Sequence, residues 1–422
     1  YEIPKRDWSS DVCSSDLAGD KLGLQSALLA DFCARFGVPA PAGNAKYFFH
    51  DFGRFRLKWE CHTEFASFTV ASAATAPLAS PEPFGRMPTA ELPEDWLLSL
   101  QGRLIVATHI VLDRASAAAE DMAPQMRQLF DTNAIVGCGA SQAAQVWTDF
   151  RIHADGFARF VVLDAGLKSL QAGRLVQRLL EIETYRLMAL LGLPVARAAG
   201  PRITSVDREL TAITEEMGVL RDASADPGAE RRLLERLMAL AVEIERVTAS
   251  ADYRFGAARA YHALVEARIA ELREQRADAG VPTIGEFMER RFAPAMRSCT
   301  ATATRLQLLA DRLARAGTLL RTRVDIALEA QNQQVLASMD RRARLQLRLQ
   351  QTVEGLSVAA ISYYVIGLIG YASRALEAGG LRIHHDLVTG LAIPLVVGLV
   401  WLGIRRLRRH IEAEGGLGGR EP

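Results

Sequence analysis

Residues 356–373 read Leu-Ser-Val-Ala-Ala-Ile-Ser-Tyr-Tyr-Val-Ile-Gly-Leu-Ile-Gly-Tyr-Ala-Ser, eighteen positions without a charge. Residues 387–404 form a second such run, Leu-Val-Thr-Gly-Leu-Ala-Ile-Pro-Leu-Val-Val-Gly-Leu-Val-Trp-Leu-Gly-Ile. At 1.5 Å per residue each run covers about 27 Å, close to the ~30 Å hydrocarbon layer of a bilayer. A core helix of a soluble protein rarely stays uncharged around its whole circumference for that length. The two runs therefore predict a C-terminal transmembrane hairpin, with helices at about 356–373 and 387–404. Pro394 in the second run is tolerable, because neighbouring helices can satisfy the carbonyl it frees.

The arginines orient this hairpin. Arg341, Arg342, Arg344 and Arg348 precede the first run, and Arg405, Arg406, Arg408 and Arg409 follow the second. The connection Arg374 to Asp386 has only Arg374 and Arg382 as basic residues. By the positive-inside rule both flanks are cytoplasmic, so the chain reads as multi-pass with N- and C-termini cytoplasmic and the bilayer as its first partner. The position of the last arginines against a span explains them without a nucleic acid. Composition agrees, since 50 Lys plus Arg stand against 49 Asp plus Glu, a balance that sets up no global field for a polyanion.

Ahead of the first run, apolar residues recur at three- and four-residue steps from about Ala172, through Arg174 to Arg186, Asp207 to Arg221, Ala229 to Thr248 and Gly256 to Arg276. Asp226-Pro227-Gly228 and Ala251-Asp252-Tyr253 read as the turns between antiparallel helices. No proline follows Pro294 before Leu376, and Leu306, Leu309, Leu313, Ala316, Leu320, Val324, Leu328, Val335 and Met339 mark one stripe. This predicts a single stalk helix running into the first span, with a coiled-coil-like seam suited to a homo-oligomer built through the stalk and transmembrane helices.

The N-terminal part has the composition of strands: Phe55 to Trp59, Glu64 to Val70 and Gly102 to Leu112 are rich in aromatic and branched residues. Ala144 to His153 and Gly156 to Leu163 flank Ala154-Asp155, and Asp155-Gly156 is a strong hairpin signal. The proline-rich stretch Thr75 to Pro93 reads as an irregular loop. The expected fold class is an α+β (or α/β) cytosolic domain at 18–165, a helical region at 166–350 and two membrane helices within 351–410. Residues 411–422 read as a disordered tail. Residues 1–17 are set apart, because Asp7-Trp8-Ser9-Ser10-Asp11-Val12-Cys13-Ser14-Ser15-Asp16-Leu17 is the translation of a common sequencing adapter; the natural N-terminus is expected to differ. Without Cys13, four widely spaced cysteines remain, Cys33, Cys61, Cys138 and Cys299, a pattern of reduced thiols.

Candidate chemistry is sparse. Glu60-Cys61-His62-Thr63-Glu64 gathers several metal-binding side chains, and alternation along a strand would put Glu60, His62 and Glu64 on one face. That set suits a divalent cation, the one cofactor these residues suggest. His384-His385-Asp386 in the outer connection offers a second cation-binding or pH-sensing group, or a polar helix cap. Gly137-Cys138-Gly139 lacks the third glycine of a dinucleotide fingerprint and reads as a turn. No phosphate-binding loop, zinc-protease helix or nucleophile elbow occurs, so an enzyme is not expected.

Five blocks carry a family resemblance: Leu57 to Phe65, Val146 to Phe150, His153 to Phe157, Gly173 to Arg186 and Gln351 to Tyr364. In them the chain resembles the domain of unknown function 3422 family of bacterial membrane-anchored proteins, over nearly everything after the adapter. The resemblance implies a bacterial inner-membrane location and no established activity. Cys61 stands where such proteins often carry Arg. A more distant likeness, in the order of domain, stalk and two spans, is to the CorA-type magnesium channels. These carry Gly-Met-Asn after the first span, where this chain has Gly370-Tyr371-Ala372. Two function classes follow. The first is a tethered binding or scaffold module with a cytosolic partner. The alternative is a CorA-like homo-oligomeric divalent-cation channel or transporter, with Ser357, Ser362, Tyr363 and Ser373 as pore-lining hydroxyls.

Overall fold

Strand alternation sorts the side chains of the N-terminal sheet onto two faces. In β3 (Arg56–Cys61), Leu57 and Trp59 are fully buried, while Lys58 and Glu60 point the other way and pair at 2.9 Å. Phe68 and Val70 of β4 (Phe65–Ser72) join that apolar face, which α1 (Lys21–Arg35) and α2 (Glu94–Ser99) cover with Leu29, Phe32 and Trp96. The Trp96 indole is satisfied by donating to the Leu28 carbonyl at 3.1 Å.

The computed structural model describes residues 6–13, 21–73, 78, 82–99, 103–114, 123–131, 134–141, 143–222, 227–378 and 385–415. The chain is α+β with mostly helical content, and it divides into two units, Tyr1–Leu320 and Arg321–Pro422.

In the first unit nine strands form one sheet in the order β2-β3-β4-β1-β5-β8-β7-β6-β9. The remaining strands are β1 (Arg6–Cys13), β2 (Tyr47–Asp51), β5 (Arg103–Arg114), β6 (Val136–Ala140), β7 (Ala144–Thr148), β8 (Ala158–Asp164) and β9 (Gln275–Arg276). Every pairing is antiparallel except β5 with β8. The expected hairpin is β7–β8, but its strands are shorter than the sequence suggests. Asp149 and Phe150 end β7 early, with Phe150 at φ +51°, and Gly156 turns at φ +83°.

Strand β1 lies in the translated adapter, which the sequence reading had kept out of the fold. It pairs with β4 from Arg6↔Ser72 to Cys13↔Phe65 and with β5 from Arg6↔Val111 to Cys13↔Arg103. The physical reason is that a ladder is made by main-chain N–H and C=O groups. An extended segment of suitable length can fill the slot between β4 and β5 whatever its side chains.

Gly137-Cys138-Gly139 is not a turn but the middle of β6. A Cβ at Gly137 would stand 2.6 Å from the Trp147 ring, so only glycine lets that indole cross the strand. The described part of Thr75 to Pro93 contains one short 3₁₀ turn, Pro88–Glu91; much of the rest lies outside the described residues.

Helices α4 (Ser169–Leu190), α5 (Gly192–Asp222) and α6 (Pro227–Leu272) follow, with α6 packed along both α4 and α5. Ala251-Asp252-Tyr253 does not break α6. It holds neither Gly nor Pro, and Ala251 is buried in the seam. Short α7 (Ile284–Arg291) starts with a capping box, Thr283 accepting from the Glu286 N–H while Glu286 accepts from the Thr283 N–H. The last helices are α8 (Ala293–Ala378), one unbroken helix as the sequence predicts, and α9 (His385–Gly415).

The main core joins one sheet face (Ile110, Val146, Phe160, Val162) to α4, α5, α6 and the start of α8. The opposite residues, Val111, Trp147, Val161 and Leu163, pack on α3 (Ala123–Leu129) through Met126 and on Phe130 just after it.

Candidate functional site

Glu60, His62 and Glu64 do not form the expected row. β3 ends at Cys61, and the chain turns through His62 to Glu64 before β4, closed by the His62 N–H donating to the Phe65 carbonyl at 2.8 Å. Glu60 stays on the strand with Lys58, and the His62 ring stacks on Phe65 with centroids 4.4 Å apart. Burial pulls the His62 imidazole below its ordinary pKa, with Glu60 opposing that and Lys58 adding to it. Glu64 turns inward instead, 3.4 Å from the Arg254 guanidinium of α6. It also accepts from the Tyr261 hydroxyl; burial first, and then Glu64, hold that phenol above its usual range. A common face would need five extended residues, and two of the three candidates, His62 and Glu64, sit in a turn. Among the described residues no three His, Cys, Asp or Glu side chains are placed to hold a metal. Cys33, Cys138 and Cys299 are buried free thiols, and Cys61 is a half-buried one.

What the turn does achieve is to bring two of the family-like blocks, Leu57 to Phe65 and Gly173 to Arg186, together on the α4–α6 face. Tyr185 of α4 stacks on Tyr261 of α6 at 5.7 Å beside Phe65 and Met188. Arg268, two heptads beyond Arg254 on α6, pairs with Glu181 of α4, and Arg178 pairs with Glu271 at 2.8 Å. A second cluster forms at the β7–β8 loop. Buried Asp149 accepts from the Arg151 N–H at 3.1 Å and stands 3.3 Å from His153 Nε2. Phe150 stacks on Phe287 at 4.8 Å, with the Arg186 guanidinium 5.4 Å from its ring centroid. Arg186 makes a two-bond fork to Glu183, at 2.6 and 2.9 Å, and Glu183 is 1% exposed. His109 lies flat on Phe157, 4.0 Å from Asp155, and burial lowers its pKa to about 3, so it is neutral at pH 7.

These clusters consist of acids and bases that satisfy one another inside the protein. Where such a pair is buried, as Glu183 with Arg186 and Glu64 with Arg254, removing one partner strands the other at a cost of ~3–5 kcal/mol. Sequence reading missed the pairs that join separate elements because their partners are far apart; Glu64 and Arg254 are separated by 190 positions. A cavity of about 30 Å³ lies among Phe255, His262, Met296 and Cys299, room for about a water molecule.

The second unit is organised otherwise. α8 and α9 each hold a stretch long and apolar enough to cross a membrane, and only 6% of each such window is buried within the chain. Of the four expected pore hydroxyls, Ser362 and Ser373 are buried, Ser357 is half-buried and Tyr363 is 76% exposed. Ser362 and Ser373 are eleven residues apart, three helical turns, so they share a face while Tyr363 is turned about 100° away. No common lining results. Ser357 and Ser373 instead donate to their own helix, at the Val353 and Gly370 carbonyls. Of His384-His385-Asp386, His384 lies outside the described residues and Asp386 is exposed.

No curated protein and no solved structure matches the chain, so the likeness in element order to CorA-type channels gains no support there. A family model does match, from residue 13, the last of the adapter strand, to residue 411. It takes in the turn that carries Glu64, the β7–β8 loop, α4 to α8 and most of α9: the chain belongs to the DUF3422 family, described as proteins of unknown function.

Proposed function

We propose that the chain is a membrane-anchored module, in which α8 and α9 cross a bacterial inner membrane as a hairpin and the sheet-and-helix unit serves as a cytosolic binding or scaffold domain. One observation carries this reading: the apolar side chains of both candidate spans face outward. Leu356, Leu368, Leu391 and Leu395 are 59–75% exposed. A core helix of that composition would be mostly buried, and leaving each such side chain in water forfeits about 1.5–3 kcal/mol. A hydrocarbon environment removes that cost and accounts for the arginines at one end of each span. The same logic extends along α8, where Leu328, Leu336 and Met339 are also exposed; self-association through this stripe would cover them.

Alkaline carbonate extraction of membranes holding the full chain tests the anchor. The chain should stay in the pellet, whereas a chain truncated after residue 350 should be released. Release of the full chain would end the proposal. Native mass spectrometry of the extracted protein tests self-association, and a strictly monomeric species would remove that part alone.

A further inference from the structure

The membrane ends of α8 and α9 are basic, and the contact between the two helices sets their levels. A Cβ at Gly370 would lie 3.8 Å from Thr389 Oγ1, so the helices touch there, and Ser362 and Val396, about two turns along each helix toward its basic end, are buried as well. Fourteen residues lead from Gly370 back to Leu356 and fourteen from Thr389 on to Gly403. Each stretch is about 21 Å long, so both spans end at the same height. Arg405 and Arg406 emerge just past that height, within about 5 Å of Gly403, and Arg348 stands about 12 Å before Leu356.

These three guanidinium groups are exposed and, among the described residues, have no carboxylate partner. Arg344, by contrast, is engaged by Asp340 at 2.6 Å. Arg405 is positioned rather than loose: its guanidinium sits 4.9 Å over the ring of half-exposed Trp401, one turn nearer the span. An indole at the hydrocarbon edge with an unpaired, fork-shaped cation above it leaves guanidinium N–H groups directed to the headgroup layer, whose acceptors are phosphate oxygens.

We propose that Arg405 and Arg406 bind the phosphate headgroup of an anionic phospholipid, Trp401 forming the apolar floor. This rests on the membrane-anchor reading. Attraction of one arginine to an anionic leaflet is worth about fivefold in lipid preference, so the two together make the site selective over a zwitterionic lipid.

The test is native mass spectrometry of the full chain from nanodiscs containing phosphatidylglycerol and phosphatidylcholine in equal parts. The wild-type chain should retain phosphatidylglycerol well above its bulk share. The double variant Arg405→Gln/Arg406→Gln should lose most of that excess, either single variant should lose about fivefold, and Arg231→Gln in the first unit should lose none. Incorporation into pure phosphatidylcholine nanodiscs separates the two readings. A chain that incorporates but shows no phosphatidylglycerol excess, or an excess that survives the double variant, overturns the headgroup site alone. Failure to incorporate into either nanodisc overturns the anchor and the site with it.

Discussion

The two ends of α8 obey opposite rules within one helix. Up to Leu320 its stripe is an interior seam, with Leu306, Leu309, Leu313 and Leu320 at most 4% exposed. Beyond Arg321 the same kind of residues at the same kind of spacing stand in the open: Leu328 is 53% exposed, Val335 50% and Met339 60%. The first unit also pairs its buried charges, as Glu183 with Arg186 and Glu64 with Arg254, whereas Arg348, Arg405 and Arg406 of the second point outward without acids. Periodicity alone therefore specifies that a helix has an apolar side, and its partner is a separate question. In the first unit the chain supplies the partner; in the second it does not, and the proposed partner is a bilayer or another copy.

The largest effect should come from breaking an interior pair. Glu183→Gln leaves Arg186 at 13% side-chain exposure without its counter-charge, and chemical denaturation should report a loss of about 3–5 kcal/mol. Next is the interior seam, where Leu313→Ala should cost about 2–5 kcal/mol by the same measurement. A charge in a span acts on the other unit: Leu368→Arg should weaken membrane insertion by about 3 kcal/mol, read in a glycosylation-based insertion assay, and leave the fold of the first unit intact.

Near neutrality, a smaller effect is pH-dependent. The folded state holds His109 at a pKa of about 3, below its ordinary 6.5, so in that window the unfolded chain binds the extra proton. The stability this neutral imidazole permits is complete above pH 6.5 and falls as pH drops from 6.5 toward 3, by about 1.4 kcal/mol per pH unit. His109→Phe should flatten that slope. Smallest of all, Leu336→Ala should change the stability of an isolated chain by no more than about 0.5 kcal/mol; a larger change that scales with protein concentration would identify a second copy on this stripe.

Much of this contrast was legible in the sequence. The spans need only composition, α8 only the lack of proline after Pro294, and the β7–β8 hairpin only Asp155-Gly156. What escaped depends on tertiary contacts or on local geometry. β6 hides behind two glycines, of which Gly137 is crossed by Trp147, and β2 (Tyr47–Asp51) is a short edge strand whose residue types do not alternate between polar and apolar. α6 runs through a stretch that looked like a turn because it is polar, although nothing in it ends a helix. The metal candidate failed on a bend of three residues, and contacts such as Glu64 with Arg254 and Phe150 with Phe287 join residues that meet only after folding. The pore hydroxyls, similarly, were read from residue type, whereas their positions around α8 divide them between faces.

The central claim, that α8 and α9 cross a membrane and return, is tested most directly by cysteine accessibility in sealed inside-out vesicles, with Cys61→Ser as the background. Gln346→Cys, on the arginine-rich flank, should react with a membrane-impermeant maleimide at once. Leu376→Cys, at the other end of the first span, should react only after the vesicles are permeabilised. Equal labelling of both positions before permeabilisation would contradict the account.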